Sequence, residues 1–251
     1  MNNSFDFKRF GLLVAYDWKR YFRNFGITLI VWISVPIIFW VSSLVFGFEL
    51  PVEVRECIIF VLVAITLMLA PSRIYGKVNL PREGVGFAMM PATGLEKFFS
   101  MLLYCSIITP IVTLFGSWLV DSLLTLLPFG GFKEFAMYED FLRNINFGDF
   151  VMLVVSLVTA AWSVSSIFMF GNMVFKHLKT GKTFAWVMLI VFTLAMILQL
   201  FQFWNAFGMW VTDTSYQVGV RFLPWLYSAI QMAVAIVFYV LTYRKIKIQK
   251  Y

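Results

Sequence analysis

The sequence predicts an all-α integral membrane protein with six transmembrane helices, and three observations carry that expectation. Hydrophobic residues fill 61% of the 251 positions and charged residues 13%, about half the charge of an ordinary soluble domain; the mean hydropathy is +0.84. The apolar residues gather in long continuous runs, which cross a bilayer core as helices of about 20 residues, not in the short alternating segments of a membrane barrel. The cations are distributed unevenly between alternate connections, as in a chain with a fixed topology.

The N-terminal stretch "FDFKRFGLLVAYDWKRYFRNFG" places Phe7, Phe10, Val14, Trp18, Tyr21 and Phe25 at helical spacing. Lys8, Arg9, Lys19, Arg20 and Arg23 fall off that stripe. Such a pattern predicts a helix over residues 1–26 lying in the membrane interface, with aromatics toward the lipid tails and cations toward phosphates. It serves either as a topology anchor or as an elbow that leads into span one and touches a cytoplasmic partner.

Apolar runs near 27–47, 57–76, 98–127, 149–170, 184–204 and 222–242 are the six expected spans of a single domain, 27–251. The first run is too long for the core of a cleavable signal. Pro36, Pro71 and Pro110 fall within the first three spans. Membrane helices tolerate proline where neighbours satisfy the freed carbonyl, so kinks are expected there.

Of the 20 Lys and Arg residues, all but Arg55, Lys133, Arg143 and Arg221 fall on the segments that share a side with the N-terminus. The positive-inside rule makes that side cytoplasmic and places both termini there. The net charge of +7 is then a signal of topology and of contact with anionic lipid, and no nucleic-acid partner is expected.

The segment 77–97 becomes a cytoplasmic loop between spans two and three. Within it "REGVGFAMM", Arg82–Met90, can form a turn or two of helix with Val85, Phe87, Met89 and Met90 as contact residues, ended by Pro91. Thr93 and Glu96 have capping-box spacing, which starts a new helix. A helix from Gly94 to Leu127 is about 50 Å long against a bilayer core of about 30 Å, so its first turns should project below the membrane. The result is a short Met-bearing knob on a rigid span, suited to adaptable contact. A connector packed on its own bundle is the alternative.

Little in the spans suggests catalysis. Cys57 and Cys105 should lie far apart in depth, so neither a disulfide nor a metal site is expected. Asp121 is the one acid well inside a run; it either faces a cavity or cation, or pairs near the far interface. His177 sits in the basic turn "FKHLKTGK", and "LKTGKT" lacks the glycine-rich cradle of a phosphate loop. No catalytic residue, cofactor or enzymatic activity is expected on this chain. The run Ser156, Thr159, Ser163, Ser165 and Ser166 reads as helix–helix glue, as do Gln199 and Gln202. Residues 128–148 suggest an interfacial helix. "NAFGMWVTDTSYQVGVR", Asn205–Arg221, suggests a segment that dips back into the bundle.

These features together resemble the permease subunits of type-2 ATP-binding-cassette exporters. The motif "MPATGLEKFFS", Met90–Ser100, is similar to the Leu-Pro-Ala-Ser/Thr-x-x-Glu-Lys-Phe signature of such permeases in Bacteroidetes-like bacteria. Pro91, Thr93, Glu96, Lys97 and Phe98 match, and Met90 replaces the usual leucine or phenylalanine. The architecture covers nearly the whole chain, while the residue-level match is confined to Met90–Ser100. The resemblance implies a multi-pass protein of the bacterial inner membrane that pairs with a second permease copy or homologue. Separate cytoplasmic subunits would bind ATP and Mg and dock on Arg82, Phe87, Met89, Met90, Thr93, Glu96 and Lys97. Alongside would lie the interfacial helix with Phe7, Phe10, Trp18, Lys19, Arg20 and Arg23. Closure of the ATPases would move an amphipathic substrate outward. The rival readings are a non-transporting membrane scaffold and, on Asp121, a secondary carrier or intramembrane enzyme.

The charge bias sets one clear test. A protease-sensitive tag at either terminus should be cleaved only in inverted membrane vesicles, and cleavage in intact cells from outside would reverse the assigned topology.

Overall fold

The computed structural model describes residues 5–80, 84–127, 129–132, 135, 147–200 and 216–248. All regular structure among them is helical. The helices are α1 (Phe7–Ile33), α2 (Val35–Phe46), α3 (Val52–Ile74), α4 (Val85–Ala88) and α5 (Gly94–Leu102). A π-helical segment (Leu103–Ile108) follows, then α6 (Thr109–Thr125), α7 (Phe147–Val174), α8 (Lys179–Leu200) and α9 (Tyr216–Ile248). Five stretches are long and apolar enough to cross a membrane: Phe7–Phe46, Val52–Ile74, Gly94–Thr125, Phe150–Val174 and Trp225–Ile248. The expected span 184–204 reaches outside the described residues, as do Gln202 and most of the expected interfacial helix and re-entrant loop.

The N-terminal region corrects the expected boundary at residue 26. Nothing between Gly26 and Ile27 breaks the helix, and α1 runs unbroken from Phe7 to Ile33. The break comes later, where Ser34 separates α1 from α2 and Pro36 lies in the first turn of α2. A proline is welcome there because first-turn amides have no helical acceptor. The expected elbow and span one therefore share one helix, about 40 Å long over 27 residues.

This helix does not lie across the bundle. It runs beside the α5–α6 rod: Tyr104 OH donates to the Val14 carbonyl at 2.7 Å, and Thr109 Oγ1 donates to Tyr21 OH at 3.4 Å. Farther along, a Cβ on Gly116 would meet Ile33 Cδ1 at 2.7 Å. Apart from Gly26, the buried residues of α1 are Leu13, Asp17, Tyr21, Phe25 and Leu29, each four positions after the last. Phe7 and Trp18, expected on the apolar stripe, are exposed.

The other prolines act differently. Pro71 sits inside α3, which continues to Ile74. Pro110 follows the π segment in the first turn of α6. The Gly94–Thr125 rod is continuous in helix type apart from that segment, at about 48 Å, so a long helix is present over the expected stretch, ending two residues before Leu127.

The core lies where α1, α3, α5, α7 and α9 converge, around Tyr21, Phe25, Ile74, Tyr75, Met101, Met169 and Met173. Along the α7–α9 seam Thr159 Oγ1 donates to Gln231 Oε1 at 3.1 Å, and Ser165 shares a 2.7 Å hydrogen bond with Ser106 of the π segment. Ser156, Ser163 and Ser166 instead bond carbonyls of their own helix. Only part of the small polar run thus joins helices. Cys57 is exposed on α3 and Cys105 buried in the π segment, and both are free thiols.

Gly171 of α7 lets α8 approach so closely that an added Cβ would overlap the Thr183 side chain. Gly171→Ala should therefore destabilise the chain by about 1–3 kcal/mol, the usual cost of overpacking, read as a lower melting temperature in detergent. Adding Thr183→Ala should restore most of the loss.

Candidate functional site

The knob starts from a helix cap. Thr93 is extended and its Oγ1 accepts from the Glu96 amide at 3.3 Å, while Glu96 Oε2 accepts from the Thr93 amide at 2.8 Å. This is the reciprocal cap expected from the Thr-x-x-Glu spacing. The other oxygen of the same carboxylate looks toward α1. Glu96 Oε1 accepts from the Asp6 amide at 2.9 Å and from Arg9 Nη2 at 3.2 Å. Asp6 is itself the N-cap of α1, its side chain accepting from the Lys8 amide. One buried carboxylate thus sits between two helix starts, where two positive dipole ends meet.

Lys97 points the opposite way. Its Nζ donates to the Phe87 carbonyl at 2.7 Å and lies 5.1 Å from the centre of the Phe87 ring. It thereby ties α5 to α4, the single turn Val85–Ala88. The Phe87 ring rests 6.4 Å from that of Tyr75. Glu96, Lys97 and Phe87 are all buried, so they hold the knob from within and do not present a surface.

Met89 is the exposed residue of the group, at 79%. Met90 and Thr93 are half-buried, and Arg82 lies outside the described residues. Between the knob and α1 runs a groove of about 470 Å³ lined by Arg9, Leu12, Tyr16, Met89, Met90 and Pro91, among others. Leu12 and Tyr16 are more than half exposed along its edge. Of the residues assigned to α1, Phe7, Trp18, Lys19 and Arg23 are exposed, and Phe10 and Arg20 half-buried. Phe10 packs near Phe5, which in turn meets Phe99 of α5. Arg20 lies over the Tyr75 ring at 5.2 Å.

Behind the knob is a polar joint that residue patterns had not assigned. Asp17 Oδ2 accepts from Tyr75 OH at 2.9 Å and from Ser100 Oγ at 2.6 Å, linking α1, α3 and α5. Asn172 Nδ2 of α7 donates to the Tyr75 carbonyl at 3.3 Å, and Lys179 Nζ of α8 donates to the Gly76 carbonyl. Burial lowers the Lys179 ammonium below the usual lysine range. Asp17 carried one sequence signal, a charge on the four-residue row of Leu13, Tyr21 and Phe25. Its partners carried none, because they come from distant segments.

Comparison with known proteins finds no match. Neither a family model, nor a curated protein, nor a solved structure matches the chain. The site is therefore read from its own geometry.

Asp121 lies at the other end of the bundle. Its Oδ2 is 3.5 Å from Arg55 Nη2, and both side chains are about 2% exposed. Arg55 also stacks on the Phe132 ring at 4.5 Å and reaches Thr125 Oγ1 at 3.4 Å. Asp121 is thus a helix–helix ion-pair partner, one of the two alternatives its position allowed.

The joint predicts an ordered series. Thr93→Ala should cost about 1 kcal/mol, as a lost N-cap does. Glu96→Ala should cost more, because it removes the acceptor of both the Asp6 and the Thr93 amides and one of the two carboxylates beside Arg9, at about 1–3 kcal/mol for a buried group left unsatisfied. Thermal unfolding of the detergent-purified variants checks the order, and equal losses would mean that the Asp6 and Arg9 contacts add nothing.

Proposed function

We propose that this chain is the membrane permease subunit of an ATP-binding-cassette exporter. In this reading the knob end faces the cytoplasm and receives a separate ATPase subunit. The observation that carries the reading is an exposed Met89 on a capped, internally braced element beside an apolar groove. Exposed apolar surface of this kind marks a site of protein interaction, and methionine adapts to a partner's contour.

The bracing suits a part that transmits force. The knob is joined to α1 through Glu96, to α4 through Lys97, and to α3, α7 and α8 through the Asp17–Tyr75 joint. A push on Met89 and Pro91 would then move several helices together. The resemblance of Met90–Ser100 to the permease signature supplies the rest: ATP and Mg on the partner, a second permease copy, and an amphipathic substrate moved outward. Within this scheme Glu96 and Lys97 position the knob, and Met89, Met90 and the groove edge make the contact.

The test is affinity purification of the tagged chain from its native membrane in mild detergent, read by mass spectrometry. A soluble ATPase with a phosphate loop should co-purify. Met89→Asp should release it while leaving yield and melting temperature unchanged, since Met89 is exposed. Recovery of the chain with membrane proteins alone would favour the scaffold reading, and an intact complex with Met89→Asp would remove the knob from the interface.

A further inference from the structure

A second concavity lies midway along the bundle, far from the knob. The π segment and Pro110 create it. A π turn carries an extra residue and widens the helix, and here the Thr109 amide bonds the Tyr104 carbonyl five residues back. Pro110 has no amide hydrogen for the carbonyl four residues earlier, that of Ser106. The combination shifts the α6 face away from a regular helical surface. A groove of about 340 Å³ opens along it, between Phe60 and Val63 of α3, Ile107 and Pro110, and Val158 and Trp162 of α7.

Its wall is nearly all carbon. Ser106 contributes the one hydroxyl, and that group is already engaged: Tyr239 OH donates to it at 2.8 Å and it shares a 2.7 Å hydrogen bond with Ser165. Among the described residues no charged side chain lines the groove, and apart from the N–H of the Trp162 indole the surface it offers an occupant is hydrocarbon. It lies in the middle of three stretches long enough to span a membrane, where acyl chains are the solvent. An empty groove would forfeit dispersion contacts along its whole lining. A chain held on three sides gains more contacts than one lying on a convex helix face.

We propose that this groove retains one acyl chain of a membrane phospholipid. The site is independent of the transport reading, because it concerns the chain in its bilayer with no partner present. It assigns a role to the π segment and Pro110, which the knob does not use.

The experiment reconstitutes the full chain in phosphatidylcholine vesicles containing a phosphatidylcholine with a diazirine midway along one chain. Photolysis is followed by peptide mass spectrometry. Adducts should be enriched severalfold on residues 106–114 and 157–162 relative to Ile236 and Val237, which are exposed on α9 close to the level of Tyr239 and Ser106. Ala161→Phe, which fills the groove, should abolish the enrichment and leave labelling of α9 unchanged. Pro110→Ala should reduce it by allowing a regular helix. Equal labelling of groove and α9 would overturn the proposal by making the groove ordinary bilayer contact. Protection of the groove with normal labelling of α9 would overturn it by placing a protein helix there. Labelling by a diazirine fatty acid but not by the phospholipid would overturn it in favour of a free single-chain amphiphile.

Discussion

The carboxylate of Glu96 is the constraint on which the knob end of this protein depends. Two helix N-termini, each with unsatisfied amides and a positive dipole end, are brought together by the parallel course of α1 and α5. Alone they would repel and would leave polar groups buried. Glu96 meets both at once, with one oxygen on the Thr93 amide and the other on the Asp6 amide and Arg9. A neutral side chain could fill the space but could not balance that concentration of positive charge.

From this point order passes along the bundle through a few polar joints in an otherwise apolar assembly. Lys97 fixes α4 under the knob. Asp17, Tyr75 and Ser100 fasten α1, α3 and α5. At the far end Arg55 and Asp121 bind α3 to α6. A membrane supplies little hydrophobic drive for helices to associate, so packing and interhelical hydrogen bonds set the geometry. The sides of the bundle between these joints are largely apolar, and the groove beside the π segment departs from a convex surface. The same construction explains how an exposed methionine can stand on a firm base: Phe87, Glu96, Lys97 and Phe98 are all turned inward.

Much of the helix pattern was legible in the sequence, because long apolar runs leave few alternatives in a bilayer. The Thr93–Glu96 cap was legible too, since both partners lie within one turn. The second set of Glu96 contacts was not, because Asp6 and Arg9 lie about ninety positions away and no local pattern links them. The boundary expected at residue 26 is absent from the helices for a different reason. The stripe of Phe7, Phe10 and Trp18 looks interfacial, but an interfacial helix must turn before it enters the membrane, and nothing at Gly26 provides the turn. The first interruption comes at Ser34, where α1 passes into α2. Asp17 was hidden because a charge flanked by Trp18, Lys19 and Arg20 reads as solvated, whereas its four-residue spacing from Leu13 and Tyr21 turns it inward. The π segment has no composition signal beyond Pro110.

Rigid coupling of α1 to the knob links the helix map to the permease reading, and it can be measured without any partner. The most direct measurement is residue-resolved hydrogen exchange on the full chain in lipid nanodiscs, followed at the amides of Asp6 and Thr93. Held by Glu96, both should exchange slowly, and both should accelerate together in Glu96→Ala. Exchange of either amide in the unmodified chain at the rate of an exposed loop would contradict the joint, and with it the rigid knob.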